Sequence, residues 1–237
     1  MLKRIRLSES ERYQRVLVCG APERAKLIST RLSNVKCLAK HREYHSYFGQ
    51  FHGQDILVTS HGVGAAGAVI CFQELMDVGA KKIIRLGSAG GLYDETKLGD
   101  IVVATASIRN DGVSPAMIPI SYPAIADINL TQDLINQFES KQILVRPGII
   151  ITTALFQSAL LDRGYELYKS ANAIAVDMES SVLFIAGSLR KVQTASVLVL
   201  DGNPLVQDGN FHDPNATSFK KAMNCCIEIC LKTLAQC

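Results

Sequence analysis

No part of this 237-residue chain keeps apolar side chains together for the roughly 20 residues that a bilayer span demands. Its basic start, Lys3, Arg4 and Arg6, runs into Glu9, Glu11 and Arg12 where a secretory leader needs its apolar region. A soluble, cytoplasmic protein with no membrane partner is therefore expected. An excess of one sign of charge is missing too. The 25 Lys and Arg stand against 22 Asp and Glu, a net charge of +3, which gives no ground for a nucleic-acid partner. Any basic function has to be a local pocket. The seven cysteines include no C-x-x-C pair and no histidine at zinc-ligand spacing, so no metal site is expected. Their odd number, in a chain too long to need disulfide staples, reads as reduced thiols. Cys225, Cys226 and Cys230 fall on an expected C-terminal helix, where Cys behaves as a small buried hydrophobe. No repeat, low-complexity tract or Pro/Gly linker divides the sequence, so residues 1–237 are expected to form one domain.

What the chain does have is alternation. Short apolar or β-branched runs at residues 15–19, 55–60, 82–86, 101–105, 148–152, 173–176 and 194–200 predict strands. Helical periodicity at residues 23–32, 65–78, 131–140, 178–189 and 217–235 separates most of them, with Gly79 placed as a C-cap. Strands alternating with helices predict an α/β fold, a single domain with a central twisted, mostly parallel or mixed β-sheet flanked by helices. Two segments resist this pattern. Residues 110–127, with Pro115, Pro119 and Pro123, read as a long ordered loop. Residues 201–215, with Gly202, Pro204, Gly209 and Pro214, read as a mobile lid beyond the last strand.

Gly62-Val63-Gly64-Ala65-Ala66-Gly67 is a G-x-G-x-x-G between a strand and a helix, the start of a dinucleotide-binding fingerprint. That fingerprint also needs an acid at the end of the next strand to hold a ribose hydroxyl. The next strand ends on Arg85, and residues 80–93 contain no Asp or Glu. The glycines are better explained by a tight turn and close helix–sheet packing, with His61 as a satisfied structural histidine.

The chemistry-bearing residues gather at strand ends. Arg85-Leu86-Gly87-Ser88-Ala89-Gly90-Gly91 reads as a glycine turn after an apolar strand. It combines a planar fork of donors, a hydroxyl and approachable backbone N–H groups, a set suited to an oxyanion. Gly20-Ala21-Pro22-Glu23-Arg24 is a second turn leading into a helix, with a cation one turn on. Arg42 lies between two strands in His41-Arg42-Glu43-Tyr44. Glu179, in Val176-Asp177-Met178-Glu179, either complements a helix dipole or accepts hydrogen bonds from a vicinal diol. Asp201 ends the apolar run Val197-Leu198-Val199-Leu200. It either caps the following turn or, partly desolvated, stays protonated as a general acid.

In their joint order and spacing these segments, with Ser60-His61-Gly62-Val63-Gly64, resemble the nucleoside phosphorylase family of the purine nucleoside and uridine phosphorylases, the hexamer-forming class. The pattern is most like that of its short apicomplexan purine members. The resemblance implies phosphorolysis of purine nucleosides, with inorganic phosphate as co-substrate and no other cofactor. It implies a phosphate site from Gly20, Arg24, Arg85 and Ser88, with Arg42 reaching in from a neighbouring subunit of a dimer-based oligomer. Met178 and Glu179 would hold the ribose. Phe156, Val176, Asp177, Ala89 and Gly90 would surround the base, and Asp201 would protonate it at N7.

Two positions depart from the family pattern. Ala21 stands where relatives usually carry Asp, and Arg4 stands about where they place a histidine that crosses the subunit boundary to the ribose 5′-hydroxyl. The Gln-x-Arg pair with which uridine phosphorylases read uracil is not at its expected offset in Gln157-Ser158-Ala159-Leu160-Leu161-Asp162-Arg163, although Gln157 and Arg163 keep that alternative open. A nucleosidase and a non-catalytic nucleoside-binding protein are the remaining readings.

Overall fold

Fully buried on both faces, Val16, Leu17 and Val18 make strand β1 (Arg15–Cys19) the spine of the fold. Such a near-continuous apolar run belongs in a parallel arrangement covered from both sides. It is flanked in parallel by β4 (Gln54–Ser60) and β5 (Lys82–Gly91), in the computed structural model that describes residues 4–8, 12–156, 160–206 and 212–236. Beyond β4 lie β3 (Tyr44–Phe51) and then β2 (Ser33–His41), both antiparallel. On the other side, β5 pairs with β10 (Gln193–Gly202) in parallel and with the short β9 (Ala175–Asp177) antiparallel. β6 (Ile101–Asn110) joins β10 to β8 (Arg146–Thr153), β8 joins β9, and the two-residue β7 (Ala124–Ile125) edges β6. Strands β5, β10, β6, β8 and β9 thus close on themselves. The mixed sheet was expected; this ring was not, because pairing order is not written in periodicity.

Helices cover both faces. α2 (Ala65–Asp77) and α5 (Ser180–Arg190) share one apolar core, centred on Phe72, Leu183 and Phe184. α1 (Pro22–Ser29), α3 (Ile128–Ser140) and α6 (Thr217–Gln236) share the other, with Ile28, Leu134, Phe138 and Ile227 at its centre. α3 begins three residues before its expected start because the Asp127 carboxylate accepts the Leu130 N–H at 2.9 Å, a cap worth about 1 kcal/mol. Gly79, at φ +92°, ends α2 as expected. A short helix, α4 (Tyr165–Ser170), went unforeseen.

One expectation needs correction. Residues 87–91 are not a turn: β5 runs through them to Gly91. The loop at 110–127 is ordered, but it serves the scaffold and does not line the cavity described below. The buried Arg109 guanidinium donates to the carbonyls of Ser114, Ile118, Pro119 and Tyr122 and to the Ser114 hydroxyl. Asp111 holds Val113, Ser114 and Ser181. Of the expected lid, residues 207–211 lie outside the described residues. Among the described residues no helix is long and apolar enough to cross a membrane.

Candidate active site

At the C-terminal ends of β1, β5 and β10 a cavity of about 620 Å³ opens, in the size range of small-molecule sites. Gly20 and Arg24 line it from the β1–α1 connection, and Arg85, Ser88, Ala89 and Gly90 line it from β5. Val176, Asp177, Met178 and Glu179 enter from β9 and the start of α5, Asp201 from β10, and Phe156 from beyond β8. Twelve of the fourteen residues singled out in the sequence therefore converge.

Arg85 is the hub. It is 3% exposed, and its Nη2 donates to Asp177 Oδ2 at 3.1 Å and, in a shorter contact, to Glu179 Oε2. One glycine makes room for it. Gly87 lies two residues on along β5, and a Cβ there would fall on the guanidinium. Nη1, nearest that missing Cβ, makes no hydrogen bond with any described residue. Gly87 thus leaves the space that the guanidinium occupies, while Gly90 and Gly91 are packed against Pro204 and Thr96.

The two carboxylates that hold Arg85 are differently situated. Asp177 accepts from Thr152 Oγ1 at 2.8 Å, from the Ser180 N–H at 3.0 Å and from Ser180 Oγ at 2.6 Å, besides Arg85. It anchors the start of α5, which is why that helix opens at Ser180 and not at residue 178. Glu179 accepts the Gly64 N–H at 2.6 Å through Oε1. Burial pushes its carboxyl up from the ordinary range, the Arg85 guanidinium works against that, and Asp177 reinforces it. The G-x-G-x-x-G motif finds its purpose here. Gly64, at φ +89°, turns the N-terminus of α2 toward Glu179, and Gly62 at φ +79° leaves space for the Glu43 side chain.

Arg24 contrasts with Arg85. Burial lowers its pKa, with Cys19 opposing and Arg85 adding to the shift, yet its guanidinium has no hydrogen bond or ion pair among the described residues. An Arg remains a cation even so. A half-buried, unpartnered cation facing a cavity can pair with an anionic ligand.

Asp201 owes its position to a β-bulge. The β10–β5 register pairs Leu200 with Ala89 and then Gly202 with Gly90, so Asp201 is the extra residue. Bulges re-aim side chains in this way. Its carboxyl, at 9% residue exposure, is raised above the ordinary carboxylate range by burial, with His212, the Ser88 hydroxyl and Arg24 pulling it back.

Arg4 and Arg42 do not line the cavity. Arg42 is exposed in the β2–β3 turn at φ +54°, and Arg4 is exposed with its N–H on Glu74. A hydrogen bond from His41 Nδ1 to the Arg4 carbonyl, at 2.8 Å, puts both on one face. His61 is buried as expected, edge-on to Phe72, but neither ring nitrogen finds a hydrogen bond among the described residues. Burial, seconded by Arg85, holds its pKa well below the usual value, so the ring is neutral.

Sequence reasoning missed His212, which lines the cavity with Nδ1 at 3.7 Å from Asp201 Oδ1. It also missed Asn203, Pro204 and Val206, which extend the wall past β10. None has a local signal; each is there because the chain folds back after the bulge. Arg163 lines the cavity too, but it is committed, donating to the Phe156 carbonyl at 2.5 Å and lying over the Tyr165 ring at 4.4 Å. Gln157 lies outside the described residues. Among the described residues no group of three His, Cys, Asp or Glu is placed to hold a metal ion.

Known proteins share both pattern and shape. The Phosphorylase superfamily matches residues 14–235. A purine nucleoside phosphorylase of Plasmodium vivax is 37% identical, with 100% of this chain and 96% of the relative covered. The structure of a Toxoplasma gondii purine nucleoside phosphorylase in complex with immucillin-H superposes with a TM-score of 0.95 at 30% identity, covering 100% of this chain and 96% of that one. A Vibrio fischeri uridine phosphorylase superposes with a TM-score of 0.92, also at 30% identity, covering 100% and 98%. With its sheet-edge cavity, its guanidinium hub and a match running almost from end to end, this chain belongs to the Phosphorylase superfamily.

Proposed function

We propose that the protein catalyses phosphorolysis of purine nucleosides, inosine and guanosine foremost, to free base and ribose 1-phosphate. The observation that carries this reading is one cavity holding both an unpartnered guanidinium, Arg24, and a buried carboxyl with a raised pKa, Asp201. The first calls for an anion and the second offers a proton. Similarity to purine nucleoside phosphorylases over the whole chain supports it.

Breaking an N-glycosidic bond makes the sugar oxocarbenium-like and puts negative charge on the departing base. Phosphate held by Arg24, Arg85 Nη1, Ser88 and the Gly20 backbone stabilises the first. Asp201 relieves the second by giving its proton to N7. Preorganised electrostatics of this kind is commonly the largest catalytic term, and a general acid adds roughly 10²–10⁴-fold. Glu179, fixed by Gly64 and Arg85, keeps lone pairs for the ribose hydroxyls, with Met178 against the sugar. Phe156, Ala89, Gly90 and Val176 supply walls for the base, while Asp177 acts by holding Arg85. The chemistry calls for no metal or organic cofactor.

Arg4 and Arg42 share an exposed face, which suits donation to a neighbouring copy in a dimer-based assembly, hexameric in the extended form. The cytoplasm is the compartment that fits the free thiols of the described cysteines. Uridine phosphorolysis is the second reading, favoured by the Vibrio fischeri likeness. Against it, the Arg163 guanidinium is taken up by the Phe156 carbonyl and the Tyr165 ring. Initial rates on inosine, guanosine and uridine at saturating phosphate test the assignment. Purines turned over well ahead of uridine are expected, and the reverse order overturns it.

A further inference from the structure

His212 has no part in the scheme above, yet its ring stands beside the Asp201 carboxyl and acts on it more than Ser88 or Arg24 does. Its placement is not an accident of a loose loop. Gly202 and His212 form an antiparallel β-bridge, and the Asp213 N–H donates to the Asp201 carbonyl at 2.9 Å. The backbone therefore fixes the two residues against each other. His212 Nδ1 stands 3.7 Å from Asp201 Oδ1, within ion-pair range, and such contacts tighten when a site fills. Its ring packs edge-on against Phe156, with centroids 5.7 Å apart. The imidazole side chain is 49% exposed while that of Asp201 is 12% exposed, so His212 spans the distance from the buried carboxyl to bulk water.

We propose that His212 is a positioning residue that returns a proton to Asp201 from solvent between turnovers. This inference rests on the phosphorolysis reading. In each cycle the C–N bond breaks as a phosphate oxygen bonds to the anomeric carbon, and the Asp201 proton passes to N7 of the leaving base. The proton carried by the attacking phosphate is released to water, so the cycle as a whole is neutral. Asp201 is left as a carboxylate under a departing base, with Ser88 and Arg24 on its inner side and neither able to reload it. His212, as imidazolium, gives Asp201 its Nδ1 proton and takes another from water through its exposed edge. Imidazole is the side chain suited to that exchange near neutral pH.

The experiment compares wild type, H212A and H212Q in weakly buffered solution, with inosine and with 7-methylinosine, with and without added imidazole. H212Q retains the bulk beside Phe156 but carries no titrating proton. Both variants are expected to lose about tenfold in kcat on inosine, less than the roughly 10²–10⁴-fold of direct acid–base assistance because His212 acts only in reloading Asp201, with KM for phosphate unchanged. Imidazole should restore the rate. 7-Methylinosine, whose base is already cationic and needs no proton, should be turned over at the wild-type rate. An unchanged kcat on inosine, an equal loss on both substrates, or no rescue by imidazole each overturns the proposal. A wild-type enzyme that fails to cleave inosine with phosphate would instead sink the phosphorolysis reading itself.

Discussion

Two arginines that line one cavity are expected to behave in opposite ways when removed. Arg85 neutralises two buried carboxylates, so Arg85→Ala strands Asp177 and Glu179 together. Breaking such a pair costs about 3–5 kcal/mol, so that variant should show a marked fall in Tm as well as loss of activity. Arg24 has no partner to strand. Arg24→Ala removes a partly desolvated cation with no partner among the described residues, so it should leave Tm unchanged or slightly raised while raising KM for phosphate about tenfold or more. Equal destabilisation by both changes would contradict the division of roles. Asp201 trades stability for function. Burial raises its pKa in the folded state, so its contribution to stability is favourable below the unfolded value and is lost as pH rises through the folded one. At pH 7 it is therefore a cost, and Asp201→Asn should raise Tm by about 2–4 °C, the shift that 1 kcal/mol gives in a chain of this size. Below about pH 4 that gain should vanish, since carboxyl and amide are then both neutral. The same variant should lose about 10²–10⁴-fold on inosine and little on 7-methylguanosine.

At the scale of elements, β5 and β10 carry the site, and each breaks a rule of regular strands to do so. β5 tolerates Gly87 because the Arg85 guanidinium occupies the space a Cβ would take. Gly87→Ala is thus expected to displace that guanidinium, lowering kcat/KM and Tm together, whereas an ordinary strand Gly→Ala raises stability. An activity assay beside thermal unfolding checks it. β10 bulges at Asp201, and the bulge aims the carboxyl at Ser88. Much of this was legible beforehand. Apolar runs located β1, β4 and the cores of β5 and β10, and glycines next to Arg85, Arg24 and Asp201 flagged the right edge of the sheet. The hairpin of β2 and β3 was not legible, because β2 is an exposed edge strand carrying Lys36 and Lys40 and shows no apolar alternation. The glycine run 87–91 was mistaken for a turn because what Gly87 accommodates, the Arg85 guanidinium, lies outside the run. His212 and the hydrogen bond from Gly64 to Glu179 span chain separations that no local pattern records.

For the whole molecule, β5, β10, β6, β8 and β9 close into a ring, and β5, β9 and β10 bring residues from it to the cavity beside those of the β1–α1 segment. Arg4 and Arg42 are exposed and do not line the cavity, so the role proposed for Arg42 requires a second copy of the chain. Arg42→Ala mixed with Asp201→Asn tests this. Each variant alone should be inactive, and random reassortment into dimers should restore about a quarter of wild-type sites, since each mixed dimer holds one intact site. No recovery on mixing would confine the site to one chain. The central claim, that the cavity delivers phosphate to a nucleoside, is tested most directly by following the sugar product of inosine cleavage as phosphate is varied. The account predicts ribose 1-phosphate in one-to-one ratio with hypoxanthine and no base release without phosphate. Free ribose, formed at a rate indifferent to phosphate, would contradict it.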